Sequence, residues 1–208
     1  MCTQKPGKAN TRQEHNKYQQ KCFHHEVNFF KQDIAPEVKR RLRKIVDSAK
    51  LTDRDSVLDV GTGTGVLLPY IQQHPVIRIV ACDLSPEMIN EASARFPEVT
   101  FWCGDIIDLP SSYGLFDGIF FNAVFGNVWD QRATLKKAAS LLNMTGRIVI
   151  SHPMGSDFVR NLSRQDESLV PHSLPPKEQL VELIHHLKLH LDHFEDKQAL
   201  YLCILRNR

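Results

Sequence analysis

Short, nearly continuous apolar runs at residues 57–60, 77–82 and 99–103 are each followed within two or three residues by an acid or a glycine. Runs of that length, rich in Val, Ile, Phe and Cys, predict strands buried on both faces. Stretches of helical character separate the strands at 66–73, 86–95 and about 131–142, the second with Ser85 as N-cap and Pro86 at the first helical position. Another helix is predicted from Pro36, where Val38, Leu42, Ile45, Val46 and Ala49 follow the 3.6-residue period. Alternating strands and helices imply a doubly wound, mostly parallel α/β sheet covered on both faces. The ending differs. Leu187, Leu189 and Leu191 alternate with Lys188, His190 and Asp192, then Glu195, Asp196 and Lys197 lead into an apolar run at 200–205, which predicts a C-terminal antiparallel hairpin.

Composition adds one domain and no membrane span. The 208 residues are 42% hydrophobic, enough for one sizeable core, and no apolar stretch approaches the roughly 18–20 residues that span a bilayer. The five cysteines are scattered without a C-x-x-C pair, which fits neither a zinc knuckle nor a disulfide framework and points to a reducing compartment; an intracellular setting is expected, the cytoplasm first and an organelle as the alternative. Residues 1–50 carry 12 Lys and Arg against 5 Asp and Glu. The basic residues Lys39, Arg40, Arg41, Arg43 and Lys44 share the helix begun at Pro36 with its apolar stripe, so they read as a solvated face. Residues 1–22 read as a flexible basic tail and 23–208 as the domain.

The chemistry concentrates at residues 57–65, V-L-D-V-G-T-G-T-G. Gly61, Gly63 and Gly65 end the first strand in a loop that approaches a ligand closely, and the helix that follows points its amides at the crevice. A dinucleotide fingerprint needs its third glycine at position 66, which is Val. Asp59 repels a diphosphate and favours an ammonium or sulfonium ligand.

This loop resembles the first motif of the class I S-adenosylmethionine-dependent methyltransferases, and the likeness continues in order. Asp83, 22 residues after Gly61, stands where the family binds the ribose hydroxyls, and Leu84 where an apolar residue lies against adenine. Gly104, Asp105 and Ile106 match the turn that caps the adenine, with the acid on its exocyclic amine. Residues 116–122 resemble the fourth strand, ending in Asn122 at the family's post-strand position, and 141–150 resemble the entry to the fifth. The resemblance covers about residues 35–206. It implies a seven-stranded Rossmann-like sheet, S-adenosyl-L-methionine as cofactor, and Asp59, Gly61, Thr62, Gly63, Gly65, Asp83, Leu84, Gly104, Asp105, Ile106 and Asn122 as its binding residues.

Methyl transfer from a sulfonium gains much of its rate from alignment and exclusion of water, so a base is optional. Candidate bases are His24, His25, His152 and His172, with His152, directly after the fifth strand, the first choice; Asn122 is the second catalytic candidate. Four segments stand to line the acceptor site: residues 23–30, the loop 122–129, His152, and the region of His172. His185, His186, His190 and His193 share no helical face if this segment is a strand, and no metal site is expected. Residues 122–125 read N-A-V-F, lacking the prolines of the N-P-P-Y turn in amide-nitrogen methyltransferases. Asp130 alone does not supply the clustered acids of metal-dependent O-methyltransferases, and the cysteine spacing does not suggest arsenic chemistry. Residues 125–130 resemble the loop of quinone-biosynthesis C-methyltransferases and their small-molecule relatives. The implied function is methylation of a small molecule, with an RNA or protein methyltransferase recruited through the basic helix, or a cofactor-binding module without turnover, as alternatives.

Overall fold

The computed structural model describes residues 9–24 and 33–208. Seven strands, β1 (Ser56–Val60), β2 (Arg78–Asp83), β3 (Thr100–Cys103), β4 (Phe116–Asn122), β5 (Leu142–His152), β6 (Leu189–Lys197) and β7 (Leu200–Asn207), form one sheet in the order β3-β2-β1-β4-β5-β7-β6. Neighbours from β3 to β5 pair in parallel, whereas β7 pairs antiparallel with both β5 and β6. The hairpin predicted from the leucine alternation is therefore present, and its second strand is the one inserted between β5 and β6.

The strands are apolar on both sides because both sides are covered. Val57, Phe120, Val149 and Leu202 belong to one buried cluster; Leu58, Phe121, Ile150 and Cys203, the next residue along each strand, belong to the other. The first is covered by α2 (Pro36–Ser48), through Leu42, Ile45 and Val46, and by the short α3 (Leu68–Ile71). The second receives Leu135 and Ala138 of α5 (Gln131–Ser140), Val159 of α6 (Gly155–Gln165), and Leu180 and Ile184 of α7 (Lys177–Ile184). A further helix, α4 (Pro86–Arg95), starts as predicted: Ser85 Oγ accepts a hydrogen bond from the Met88 amide at 3.3 Å. Neither α6 nor α7 is foreseen from the sequence. No helix among the described residues is long and apolar enough to cross a membrane.

Residues 12–22 differ from the flexible tail the sequence suggested: they belong to α1 (Arg12–His24), which docks on the domain. Its composition is polar, so hydrophobic periodicity gives no signal. Its buried residues, His15, Tyr18, Gln19 and Cys22, nevertheless recur at helical spacing, and polar atoms do the docking. His15 Nε2 donates to Asn127 O at 2.7 Å, Tyr18 Oη to Asp166 Oδ2 at 3.0 Å, and Gln19 Nε2 to Leu169 O at 2.5 Å. Partly buried bonds of this kind each contribute about 1 kcal/mol. Residues 1–8 of the expected tail lie outside the described residues.

Candidate functional site

A cleft of about 550 Å³ opens beyond the carboxyl ends of β1, β2, β4 and β5, roofed on one side by α1. This is where open parallel sheets bind ligands, because the loops diverge there. Asp59 leaves β1 only 2% exposed and accepts a hydrogen bond from Thr62 Oγ1 at 2.7 Å. Burial, reinforced by the neighbouring charge of Asp83, pushes its carboxyl up to about 7 against the opposing Thr62 bond. The glycine loop then hangs on β2: the amides of Gly61 and Thr62 donate to Cys82 O at 2.8 and 3.1 Å. Asp83, at the end of β2, accepts the Gly63 amide on Oδ2 and the Ser85 amide on Oδ1, both at 2.9 Å. Desolvation also raises the Asp83 carboxyl above its ordinary value, although those backbone donors pull the other way.

The three glycines have left-handed backbones, with φ of +66°, +55° and +83° at Gly61, Gly63 and Gly65, yet they serve different ends. A Cβ on Gly65 would lie 2.6 Å from the Phe96 ring, so this glycine permits loop-to-helix packing; on Gly63 a Cβ would meet nothing within 4 Å. The space over Gly63 is part of the cleft. Gly65 alone among the expected cofactor residues does not line it.

Leu84, Gly104, Asp105 and Ile106 line the far end. Gly104 N donates to Asp83 O at 2.8 Å, tying this turn to β2. Asp105 is heavily used: Oδ1 accepts the Ile107 amide, and Oδ2 accepts Asn16 Nδ2 at 3.0 Å and Arg12 Nη1 at 3.4 Å. Arg12 also donates to Asp108 at 2.9 Å, and Gln20 Nε2 to Leu84 O at 2.9 Å. Thus α1 rests on the turn expected to hold a purine. Asn16, Gln19, Gln20 and Met88 line the cleft as well and were missed from the sequence, which carried no motif for them. We expect the pair Arg12→Ala and Asn16→Ala to speed hydrogen exchange of α1 amides by roughly 5- to 30-fold, since a rim ion pair and one half-buried bond are worth about 1–2 kcal/mol together. Unchanged exchange would show that these contacts do not hold α1.

Asn122 and His152 end the adjacent strands β4 and β5 and line the other end of the cleft. The next residue, Ala123, has φ +58°. An alanine seldom adopts that conformation, and here it turns the loop 123–130 across the opening. Among the described candidate histidines, only His152 lines the cleft. His24 pairs with Glu87 at 2.9 Å, and His172 Nε2 donates to Trp129 O at 3.1 Å; neither lines the cleft, and His25 lies outside the described residues. His152 does line it, but the Met154 amide donates to its Nδ1 at 3.1 Å and burial holds the imidazole down to about 4. The ring is therefore neutral, with its proton on Nε2.

Among the described residues, the cleft is lined by four carboxylates, Asp33, Asp59, Asp83 and Asp105, and by no lysine or arginine. A diphosphate finds no counter-charge there, whereas a cationic ligand does. His190 and His193 stand on β6, and no group of metal-ligating side chains occurs among the described residues.

Residues 57–146 match the family model described as a methyltransferase domain. The chain is 34% identical over 124 residues to a malonyl-[acyl-carrier protein] O-methyltransferase of Herminiimonas arsenicoxydans, covering 59% of this chain and 44% of that protein. It is 31% identical over 122 residues to a demethylmenaquinone methyltransferase of Paenarthrobacter aurescens, covering 57% and 47%. The match thus spans about half the length of these relatives. Among solved structures, the N-methyltransferase NodS of Bradyrhizobium japonicum bound to S-adenosyl-L-homocysteine superposes with a TM-score of 0.71 at 16% identity, over 91% of this chain and 98% of that one. The DhpI complex with the same ligand gives 0.72 at 18% identity, over 95% and 98%.

Proposed function

We propose that the chain, whose residues 57–146 match a methyltransferase-domain model, transfers a methyl group from S-adenosyl-L-methionine to a small-molecule acceptor. The observation that carries the reading is the cleft's combination of carboxylates, no lining lysine or arginine among the described residues, and an open cradle over Gly63. In this reading Asp83 accepts the ribose hydroxyls, Leu84, Met88 and Ile106 contact the adenine, and Asp105 accepts its amine while also bonding α1. Asp59, fixed by Thr62, supplies negative charge beneath the cationic end. Bound there, the cofactor supplies an electrophilic methyl group whose departure leaves a neutral thioether. The protein's part is to orient the two partners and exclude water, which α1 and the loop 123–130 do by covering the cleft.

A small acceptor is favoured over a macromolecule by what the basic helix does. In α2, Arg41 donates to Pro153 O at 2.6 Å, Lys44 binds both oxygens of Glu195, and Arg40 pairs with Glu37. Three of its five cations are engaged with the protein.

Two experiments test the reading. Calorimetry is expected to show binding of S-adenosyl-L-methionine and S-adenosyl-L-homocysteine and none of NAD or NADP; the opposite preference would overturn it. Incubation with labelled methyl donor and fractionated extract is then expected to place label in the small-molecule fraction, and label confined to RNA or protein would refute the acceptor class. Gly63→Val is expected to abolish donor binding, because its side chain fills the cradle and its backbone is strained at positive φ, while Gly65→Val is expected chiefly to destabilise the fold by collision with Phe96. Circular dichroism melts alongside titrations separate the two effects.

A further inference from the structure

A second cavity, of about 270 Å³, lies at the opposite edge of the sheet from the cleft, where β1, β4 and β5 begin and β7 ends. Lys50, Arg147 and Arg206 line it. The two arginines are register partners on β5 and β7, so their side chains leave the same face of the sheet, and both are half-buried. His190 on β6 is in turn the register partner of Arg206, which extends the basic row across three strands. Like charges directly opposite each other on paired strands destabilise a sheet, more so where water is partly excluded. Among the described residues, none of Lys50, Arg147 and Arg206 has an ion pair or a side-chain hydrogen bond to offset that cost.

Two carboxylates, Asp55 and Asp117, also line the cavity, but their oxygens are held by neutral donors. Asp55 accepts Thr52 N at 2.8 Å and Thr52 Oγ1 at 2.9 Å, and Asp117 accepts Ser56 N at 2.9 Å and Asn143 Nδ2 at 2.7 Å. Three cations against two acids leave the lining with a surplus of positive charge. Two guanidinium forks and an ammonium group offer more N–H donors than the two oxygens of a carboxylate can accept, whereas a phosphate presents three terminal oxygens and up to two charges. The cavity is also roomier than one such anion needs.

We propose that Lys50, Arg147 and Arg206 form a binding site for a phosphate group, separate from the cleft, and that the ligand is inorganic phosphate or the phosphate end of a small phosphomonoester. The bound anion neutralises the arginine pair and so stabilises the fold at this edge. Its site does not compete with the cleft, whose described lining carries carboxylates and no lysine or arginine. The proposal stands whether or not the chain transfers methyl groups.

The test melts and titrates the full chain at pH 8 in sodium chloride, then with inorganic phosphate or glycerol 3-phosphate at matched ionic strength. At about 20 mM, either anion is expected to raise the melting temperature by about 2 °C or more over chloride, because a ligand that binds only the folded chain stabilises it by mass action. Tighter binding of the ester in calorimetry assigns the site to a phosphomonoester, and tighter binding of the inorganic anion to free phosphate. Arg147→Gln and Arg206→Gln should each weaken binding by about fivefold or more, whereas Arg43→Gln, which removes the same charge from an exposed position on α2, should leave it within about twofold. In dilute chloride the first two variants should melt no lower than wild type, since each relieves the like-charge pair. No stabilisation beyond that of chloride, binding that survives both substitutions, or equal weakening by Arg43→Gln would overturn the proposal. So would a lower melting temperature of Arg147→Gln and Arg206→Gln in dilute chloride, which would show that the arginines support the fold without an anion.

Discussion

Replacing Asp83 by alanine is expected to weaken S-adenosyl-L-methionine binding by roughly 10- to 1,000-fold, and replacing Asp108 by less than about threefold. The first figure follows from charged hydrogen bonds to two ribose hydroxyls, each worth about 1.5–3 kcal/mol when desolvated and offset in part by entering water. Asp83 has a second role that adds to the loss. Its two oxygens hold the amides of Gly63 and Ser85, so the alanine variant also releases the glycine loop and the start of α4 from β2. Asp108 is on the surface, where its partner is Arg12, and its removal reaches the cleft only by loosening one end of α1. Dissociation constants for the two variants that agree within threefold would show that the ribose acid has been misassigned. Asp83→Asn distinguishes the two contributions. It keeps an acceptor for one amide while losing the charge, so it should fall between wild type and alanine.

Asp59 and Asp83 were legible in the sequence because each stands at or near the end of an apolar strand. An apolar run that ends in an acid, as at Asp59 and Asp83, places that acid at the carboxyl edge of a parallel sheet, and strand order then brings the two edges together. The glycine loop was legible for the same reason, although its division of labour was not. Whether a glycine leaves room for a ligand or for a neighbouring ring depends on Phe96, 31 positions after Gly65. The role of α1 was illegible because its buried face is built from His15, Tyr18 and Gln19, whose partners are the distant Asn127, Asp166 and Leu169. Polar residues that dock through specific bonds look, in a sequence, like polar residues in water. His152 was found by position, but its tautomer is set by the backbone amide of Met154, a contact that strand-to-helix geometry creates and composition cannot show.

The affinity for S-adenosyl-L-homocysteine is expected to fall as pH drops below about 7, approaching tenfold per pH unit, and to level off above it. That ligand keeps the ammonium group and lacks the sulfonium, so its pH dependence reports on the carboxylates facing the amino-acid end. Asp59, raised to about 7 by burial, is the group that titrates in this window. Neither His152 nor His15 competes in this window, since burial holds His152 down to about 4 and lowers His15 as well. The same shift has a consequence for stability, of opposite sign to the usual salt-bridged acid. Between an ordinary carboxyl value of 3.8 and about 7, the folded chain retains a proton the unfolded chain has lost, so stability without ligand falls as pH rises through that interval. Asp83, displaced in the same direction, adds to the fall. Asp59→Asn should therefore bind the ligand more weakly above pH 7, lose most of the pH dependence, and melt at a higher temperature than wild type at pH 8. An unchanged binding profile in the asparagine variant would assign the dependence elsewhere, and a lower melting temperature at pH 8 would show that Asp59 contributes more through Thr62 than its buried charge costs.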